Sequence, residues 1–453
     1  MPDALNVWMN GEHVGRWSRT RSGIDAFDYA AAWMHSPQVR ALSLSLPITA
    51  DGAVRGEAVG HYFDNLLPDS PGIRRRLGTR FRTPSGSSFD LLAAIGRDCV
   101  GAVQLLPPDE LPDGWNRIRS QPLTNAEIER ILLAVTSDAP LGQRGTDEDA
   151  DFRISIAGAQ EKTALLRIGD TWHRPLGATP TTHILKLPLG LVGNMRADMS
   201  DSVENEWLCA QILGELGLQV ANTTIARFGK QKALVVERFD RRWMNVPEGA
   251  ASAPGFRPPR KAWIARLPQE DFCQACACPP ERKYEAEGGP GMRRLTDLLA
   301  QSDRAQDDRT QFLLAQLAFW LLAATDGHAK NFSIFHTRGG GFHLTPLYDV
   351  LSAWPIIGNG AGRLPLRKAR LAMAVRTTNT HYRLHEIQAR HWHELAQASG
   401  VGHLWDRMQA LVQEVDGALA RTRKRLPRGF PPAVWNAVAD GMRQHAQRFQ
   451  RGD

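Results

Sequence analysis

The chain is poor in cysteine and has no apolar run long enough to cross a membrane. Its five cysteines, an odd number among 453 residues, argue against a disulfide framework. Cys273, Cys276 and Cys278 lie close together, but no second Cys-x-x-Cys or His pair supplies the other ligands that zinc requires. We therefore favour three reduced thiols over a metal clip. Because the amino terminus also lacks a basic head followed by an apolar stretch, we expect a cytoplasmic protein with no membrane partner.

The composition lacks a large excess of either charge, and no internal repeat is evident. The 55 Lys and Arg residues against 48 Asp and Glu residues give a net charge of +7 and a pI near 9.3. So small an excess permits contact with nucleic acid without requiring it. A hydrophobic content of 42% and a charged content of 23% are ordinary for globular proteins, and 453 residues allow two or three domains.

A polar loop beginning at Asp326 follows an almost wholly apolar segment. The segment, Phe312 to Ala324, predicts a buried helix that places Asp326 at its end. Asn331 stands five positions after Asp326, which is the Asp-x-x-x-x-Asn spacing of the protein-kinase catalytic loop. Asp349 ends a second apolar segment and completes a set of two oxygen ligands and one orienting acid. The set is typical of phosphoryl transfer, although a helix cap and a turn would use the same residues.

Two upstream segments have the composition of nucleotide-binding elements. Four of the five residues from Ser155 to Ala159 are small, which lets a backbone approach phosphate groups closely, and a strand is predicted after them. A tight hairpin is the alternative interpretation of this loop. Lys186 lies in the short apolar strand His183 to Pro188, where a buried ammonium needs a partner such as a phosphate. The alternative is an edge strand with Lys186 in solvent.

A third segment, Ala233 to Arg242, predicts a strand that runs into a hinge. The backbone around Glu237 is expected to hydrogen-bond the edge of an adenine. Phe239 is expected to cover the face of the same base.

Local signals also predict where regular structure begins and ends. The Asn-Gly dipeptide at 10–11, between two alternating segments, predicts a hairpin with a type I′ turn. A Thr-x-x-Glu sequence at 124–127 predicts a capping box that opens a helix. Residues 100–106 predict a strand. The composition changes at 137–151 and 246–261 predict an exposed linker and a surface loop.

Taken together, these segments closely resemble the HipA family, the serine/threonine kinase toxins of bacterial toxin–antitoxin modules. The resemblance covers nearly the whole chain, including Tyr62 to Ser70 and Leu267 to Asp271. The matches are long, ordered and therefore highly specific. The segments that carry them are Ser155-Ile156-Ala157-Gly158-Ala159-Gln160-Glu161-Lys162, His183-Ile184-Leu185-Lys186, Glu237-Arg238-Phe239-Asp240, Thr325-Asp326-Gly327-His328-Ala329-Lys330-Asn331 and Tyr348-Asp349.

The resemblance implies an α+β, protein-kinase-like fold of two lobes, with an N-terminal α/β subdomain and a mostly helical C-terminal lobe. With the predicted linker, it gives an N-terminal subdomain at 1–136 and a linker at 137–151. The nucleotide-binding part of the kinase is then expected at 152–240, and the helical lobe with the catalytic loop at 241–453.

The resemblance also implies a reaction and its partners. The expected activity is transfer of phosphate from ATP, with Mg²⁺, to a protein target. The target that the resemblance implies is an aminoacyl-tRNA synthetase, glutamyl-tRNA synthetase in the best-known cases, and its phosphorylation would inhibit translation and promote dormancy and persistence. The expected partners are a HipB-like helix-turn-helix antitoxin and, through that complex, the operator DNA on which the pair acts as a repressor.

Motif positions carry the family's site residues over to this chain. Asp326 would be the catalytic aspartate, Asn331 and Asp349 the Mg²⁺ ligands, and Lys186 the phosphate-binding lysine. Ser155 would be the serine that such kinases autophosphorylate in trans, which inactivates them. The residues expected to bind ATP are Ser155, Ile156, Ala157, Gly158, Ala159, Gln160, Lys186, Glu237, Phe239, Gln269, His328, Asn331 and Tyr348.

Two other functions stay open. A small-molecule phosphotransferase uses the same loop chemistry, and an assay of phosphate transfer to protein would separate the two. The second alternative is a DNA-bound corepressor whose kinase site is incidental. A downstream basic cluster that includes Arg367, Lys368 and Arg370 is either a contact to DNA phosphates or a solvated face.

Overall fold

The computed structural model describes residues 4–19, 23–135, 155, 157–158, 160–193 and 195–452. The predicted linker at 137–151 and the site residues Ile156 and Ala159 lie outside these described residues. The chain divides into two compact units. The first comprises Met1–Leu187, Ala226–Glu281 and Phe335–Gly341, and the second comprises Pro188–Ile225, Arg282–Ile334 and Phe342–Asp453. The four sequence ranges assigned above to subdomain, linker and lobes stay a prediction.

The described residues contain both strands and helices. The strands are Ala4–Met9 (β1), Glu12–Arg19 (β2), Asp25–Tyr29 (β3), Ala53–Arg55 (β4), Val103–Leu106 (β5), Ser120–Pro122 (β6), Lys162–Ile168 (β7), Thr171–Pro175 (β8), His183–Lys186 (β9), Gly190–Val192 (β10), Ala197–Met199 (β11), Thr223–Phe228 (β12), Gln231–Glu237 (β13), Arg241–Met244 (β14), Trp263–Arg266 (β15), Gln269–Asp271 (β16), Ser333–His336 (β17), Phe342–Leu344 (β18), Arg370–Arg376 (β19) and Thr380–Arg383 (β20).

The α-helices are Ala31–Met34 (α1), Glu57–Asp64 (α2), Pro71–Phe81 (α3), Ser88–Ile95 (α4), Asn125–Val135 (α5), Ser202–Glu215 (α6), Phe272–Ala275 (α7), Met292–Leu299 (α8), Ala305–Leu322 (α9), Ala389–Ser399 (α10), Leu404–Gln413 (α11), Val415–Lys424 (α12) and Pro432–Arg451 (α13). Across the described part of the chain, none of these helices combines the length and the apolar composition needed to cross a bilayer.

The amino-terminal strands form a five-stranded antiparallel sheet in the order β4-β3-β2-β1-β5. β1 and β2 are joined by the predicted turn, in which Asn10 has a φ of 47° and Gly11 a φ of 86°. Two successive positive φ angles are what a type I′ turn requires, so the hairpin is confirmed. One face of the sheet buries Trp17, whose ring stacks on Phe63 of α2 with the centroids 4.0 Å apart.

A second, six-stranded sheet has the order β12-β13-β9-β7-β8-β6. β9 lies between β13 and β7 and pairs with both in antiparallel register. Lys186, at the end of β9, is only 5% exposed. The alternative of an edge strand with Lys186 in solvent is therefore wrong. α5 packs against β7 and β13, and the predicted capping box between Thr124 and Glu127 forms at its amino-terminal end.

Three arginines and two aspartates are buried together in the first unit, and we call them the ionic cluster. Its members are Asp98, Asp240, Arg238, Arg241 and Arg266. Arg238 lies 3.3 Å from Asp98 and 2.8 Å from Asp240. Burial alone would raise the pKa of Asp98, but the surrounding arginines hold that pKa well below its usual range. Asp98 precedes β5, Arg238 follows β13, and Arg241 and Arg266 lie on β14 and β15. The cluster therefore links three sheets of this unit: the five-stranded sheet, the six-stranded sheet and the β14-β15 pair.

The buried helix α9 is the centre of the second unit. Every residue from Phe312 to Ala324 is buried, as the apolar segment predicted. The helix packs against α8, α11 and α13. Trp320 donates its indole N–H to the carbonyl of Leu384 at 3.1 Å and stacks on His445 with the centroids 4.3 Å apart. Burial lowers the pKa of His445 to about 4, so this imidazole is neutral, and its Nδ1 lies 2.8 Å from the carbonyl of Trp320.

Candidate active site

The loop that starts at Asp326 is shaped by the end of α9. Ala323, the first residue beyond the helix, adopts a left-handed conformation with a φ of 49°. A Cβ on Gly327 would lie 2.4 Å from the ring of Phe319, so glycine is required at that position. Ala329–Asn331 then form one turn of 3-10 helix before β17. The backbone thus holds the acid and the amide of the predicted motif on one short loop.

The Asp326 carboxylate is accessible from solvent and is contacted on one oxygen. Its side chain is 61% exposed, whereas that of His328 is 6% exposed. The Tyr284 hydroxyl donates a hydrogen bond to Oδ1 of Asp326. The Tyr284 ring meets the His328 ring edge-on with the centroids 5.0 Å apart, and Nε2 of His328 lies 3.9 Å from the same Oδ1. These contacts orient an exposed carboxylate from one side.

The Asn331 side chain contacts the backbone of Asp349, which lies 18 positions further along the sequence. The Asn331 side-chain amide donates to the backbone carbonyl of Asp349 at 3.3 Å. Within the described part of the chain, the buried Oδ1 of Asn331 accepts no hydrogen bond. Leaving such an atom unsatisfied costs about 1–3 kcal/mol, which a bound cation would offset. Amide and carboxylate oxygens are the donors that Mg²⁺ prefers, so this pair fits that ion.

Tyr348 ties the loop to the segment that carries Asp349. Its hydroxyl donates to the carbonyl of Lys330 at 2.8 Å and lies 2.5 Å from the Ser333 hydroxyl. His328 is nearly inaccessible, with 5% of the residue exposed. The second unit therefore brings five of the predicted site residues onto one pair of connected segments: Asp326, His328, Asn331, Tyr348 and Asp349.

Ser155 belongs to the first unit and is fully buried. Its hydroxyl donates to the carbonyl of Leu66 at 2.8 Å, and its backbone N–H donates to the carbonyl of Asp98 at 3.3 Å. Three residues after Leu66, the N–H of Asp69 donates to the carbonyl of Gly158 at 3.2 Å. The amino-terminal part of the chain thus holds the predicted phosphate loop at several points.

Two lysines lie at the base of this loop. Lys162 on β7 and Lys186 on β9 are directly opposite each other, so their side chains leave the same face of the sheet. The Lys162 ammonium donates to the carbonyl of Ala157 at 2.8 Å. A Cβ on Gly158, whose φ is 110°, would lie 2.4 Å from that ammonium. The glycine therefore permits both the backbone conformation and the close approach of the lysine.

The other predicted nucleotide contacts of the first unit lie at the ends of its strands. Gln160 is buried and donates its side-chain amide to the carbonyl of Leu187 at 2.5 Å. Glu237 is the exposed last residue of β13, and Phe239 follows it, partly buried. Gln269 begins β16 and is buried, and its Oε1 accepts no hydrogen bond within the described residues.

The predicted basic cluster lies on the surface of the second unit. Arg367 and Lys368 are exposed in a 3-10 helix, and Arg370 is exposed at the start of β19. All three side chains are therefore available to a partner.

Two features of the site escaped the sequence analysis. Tyr284, which contacts Asp326, lies 42 positions from it, and Leu66, which accepts from Ser155, lies 89 positions from that serine. Neither residue stands in a local motif with its partner, so spacing gives no signal for these contacts. Lys162 had a local signal, because it stands at the end of the segment that begins with the predicted phosphate loop.

Comparison with known proteins identifies the family. Residues 5–106 match the family model described as the HipA N-terminal domain, and residues 154–422 match the HipA-like C-terminal domain. Among curated relatives, "Putative kinase Y4mE" of Sinorhizobium fredii is 34% identical over 428 residues, which are 92% of this chain and 91% of the relative. "Serine/threonine-protein kinase toxin HipA" of Shewanella oneidensis is 29% identical over 341 residues, covering 72% of this chain and 70% of the relative.

A solved structure supports the same assignment at the level of the fold. It is the Shewanella oneidensis HipA, HipB and operator DNA complex, with a TM-score of 0.76 at 24% identity over 99% of this chain and 97% of the matched chain. The α+β, protein-kinase-like fold that the sequence predicted is confirmed. Because the C-terminal family model alone spans more than half of the sequence, this chain belongs to the HipA family of serine/threonine-protein kinase toxins.

Proposed function

We propose that the protein transfers the γ-phosphate of ATP to a serine or threonine hydroxyl of a protein target. The observation that carries this proposal is the loop of the second unit. There the exposed carboxylate of Asp326 and the unsatisfied amide oxygen of Asn331 have the Asp-x-x-x-x-Asn spacing of the protein-kinase catalytic loop. The amide of Asn331 also donates to the backbone carbonyl of Asp349. An exposed carboxylate is able to meet a hydroxyl that arrives from solvent. Membership of the family supports the same reaction.

Each residue of this loop has a separate proposed task. Asp326 orients the acceptor hydroxyl and accepts its proton as the hydroxyl oxygen attacks. Asn331 and Asp349 would hold Mg²⁺, which when bound would neutralise charge on the transferred phosphate. His328 and Tyr348 are proposed nucleotide contacts at the rim of the same loop. The hydrogen bonds of the Tyr348 hydroxyl to Lys330 and Ser333 hold the two ligand-bearing segments together.

The first unit is proposed to bind the nucleotide. Lys162 and Lys186 lie directly opposite each other on neighbouring strands, so two ammonium groups leave the same face of the sheet. Their combined positive charge would attract phosphate oxygens. The backbone of residues 155–160 is proposed to cover the phosphates, while Glu237, Phe239 and Gln269 are proposed contacts of the nucleotide at the strand ends.

The proposed target is an aminoacyl-tRNA synthetase, glutamyl-tRNA synthetase in the first place, and its phosphorylation would inhibit translation and promote dormancy and persistence. The test is incubation of the purified protein with Mg²⁺ and γ-labelled ATP in the presence of that synthetase. We expect label on a serine or threonine of the synthetase. Label found on small molecules alone would favour a small-molecule phosphotransferase instead.

Ser155 is proposed to be the site of self-inactivation. Phosphorylation would add about −1.5 to −2 charges at neutral pH to a hydroxyl that now donates to the carbonyl of Leu66. Because a buried phosphate facing a carbonyl oxygen is unfavourable, the loop would have to leave its present position. We expect the phosphorylated protein to bind ATP at least about tenfold more weakly, and Ser155→Ala to escape self-inactivation.

Intact-mass spectrometry and ATP calorimetry after incubation with Mg²⁺–ATP measure both effects. Ser200→Ala, which removes an exposed hydroxyl, is the matched control and should behave as wild type. An unmodified Ser155, or full ATP affinity in the modified protein, would refute the switch.

A HipB-like antitoxin and operator DNA are the proposed partners, by analogy with the named complex of the Shewanella oneidensis protein. Arg367, Lys368 and Arg370 are proposed to meet DNA phosphates within that complex. Changing all three to alanine should lower the affinity of the antitoxin complex for its operator. The slope of the logarithm of the binding constant against the logarithm of the salt concentration should become shallower by about 0.9 for each phosphate contact that is lost. Kinase activity should be unchanged. An identical salt dependence for variant and wild type would show that the cluster is a solvated face.

A further inference from the structure

Tyr284 is held in place by its neighbours on both sides. The side chain of Glu285 is 7% exposed and accepts hydrogen bonds from the backbone N–H of Ala374 at 2.6 Å and from Nε of Arg376 at 2.7 Å. The carbonyl of Lys283 accepts from the N–H of Ala329 at 3.4 Å. We call Lys283–Glu285 the tyrosine strap. It is anchored to β19 at one end and to the loop after Asp326 at the other.

The Tyr284 side chain is equally restrained. Its ring contacts His328 edge-on, and the Lys283 ammonium lies 5.6 Å from the ring centroid. Its hydroxyl donates to Oδ1 of Asp326. A hydrogen bond to a charged acceptor is stronger than one between neutral groups, so this contact restricts a carboxylate that would otherwise rotate in solvent.

We propose that Tyr284 is a positioning residue for phosphoryl transfer. Its hydroxyl fixes the Asp326 carboxylate through Oδ1, which leaves Oδ2 to receive the acceptor hydroxyl. In the step, the hydroxyl proton passes to Asp326 and a bond forms between the acceptor oxygen and the γ-phosphorus. The bond from that phosphorus to the oxygen bridging it to the β-phosphorus breaks, and ADP leaves with the electron pair. The inference rests on the function proposed for Asp326.

The physical basis is the steep dependence of rate on the geometry of the attacking group. A misplacement of about 1 Å costs about 10²-fold in rate, because only near-attack arrangements react. An exposed carboxylate without the tyrosine would populate several rotamers, and few of them would align the acceptor. Binding of ATP does not depend on that alignment, so the effect should fall on kcat and leave the nucleotide affinity unchanged.

The test is Tyr284→Phe, which removes the hydroxyl and keeps the ring contacts to His328 and Lys283. We expect kcat for protein phosphorylation to fall about 10- to 100-fold while KM for ATP and the calorimetric affinity for Mg²⁺–ATP stay within about twofold. Glu285→Gln, which weakens the anchor of the strap, should give a smaller loss in the same direction. Asp297→Asn changes an exposed side chain on α8 of the same unit and serves as the control, with an unchanged kcat.

Any result other than a fall in kcat at unchanged ATP affinity contradicts the positioning role of Tyr284. An unchanged kcat shows that the hydroxyl does not position Asp326, and a raised kcat shows that it competes with the acceptor for the carboxylate. Loss of ATP affinity together with kcat shows a general structural contribution. Asp326→Asn in the same assay separates this inference from the proposed function. If Asp326→Asn retains wild-type activity, the proposed function fails; if it is inactive while Tyr284→Phe is normal, only the positioning role fails.

Discussion

Asp326→Asn is expected to lower phosphoryl transfer by about 10²- to 10⁴-fold, the usual contribution of a positioned acid–base group. The amide keeps the volume of the side chain and still accepts the hydrogen bond from Tyr284, but it does not take a proton from the acceptor hydroxyl. Because the Asp326 side chain is 61% exposed, we expect the free energy of unfolding to change by about 0.5 kcal/mol or less.

Label transfer to protein under Mg²⁺–ATP measures the loss, and thermal unfolding checks the fold. Asp297→Asn removes an exposed carboxylate from α8 in the same unit and is the matched control. It should transfer phosphate at the wild-type rate. Wild-type activity in Asp326→Asn would contradict the assignment of the catalytic acid.

Loss of the Asp349 carboxylate should be nearly as damaging, through the metal. Without it, Asn331 is left as the proposed protein ligand, and charge on the phosphates is less fully neutralised. We expect Asp349→Ala to bind ATP at least about tenfold more weakly in the presence of Mg²⁺, and with unchanged affinity in its absence. Calorimetry with and without the metal measures the difference. Equal affinities for variant and wild type in Mg²⁺ would rule out the ligand role.

Backbone strain must be separated from loss of the ligand in this experiment. Asp349 has a φ of 60°, a conformation that asparagine and aspartate adopt more readily than alanine. Asp349→Asn removes the charge but keeps this tolerance, so it should lose metal-dependent affinity as Asp349→Ala does. His403 is exposed and has a φ of 55°. The change in the free energy of unfolding of His403→Ala therefore measures the cost of placing alanine in this conformation, without any loss of a metal ligand.

The parts of the fold that the sequence predicted are those with local determinants. Asn10-Gly11 forms its turn because both residues tolerate positive φ, and the capping box at 124–127 forms between neighbours. The apolar run before Asp326 is long enough to be a buried helix wherever it packs. Residues 100–106 were only partly right, since the strand begins at Val103. Gly101 has a φ of 72°, and a side chain there would meet the carbonyl of Gln269.

The arrangement of the site depends on pairings that no local pattern encodes. Whether Lys186 is buried or exposed is decided by β13 and β7 on either side of its strand, and a single strand sequence fits both cases. The contact between Tyr284 and Asp326 joins residues 42 positions apart, and the hydrogen bond from Ser155 to the carbonyl of Leu66 joins residues 89 positions apart. Such contacts follow from tertiary packing, so the chemical groups of the site can be predicted from the sequence, but the residues that orient them cannot.

The central claim is tested most directly by mapping labelled phosphate on protein acceptors. Catalytic amounts of wild-type protein are mixed with Mg²⁺, γ-labelled ATP, glutamyl-tRNA synthetase and a tagged Asp326→Asn chain, and the phosphorylated residues are identified by mass spectrometry. We predict phosphate on serine or threonine of these acceptors, including Ser155 of the tagged chain, and none when the wild-type protein is left out. Phosphate on neither acceptor, with ATP consumed at equal rates by wild-type and Asp326→Asn protein, would contradict the account.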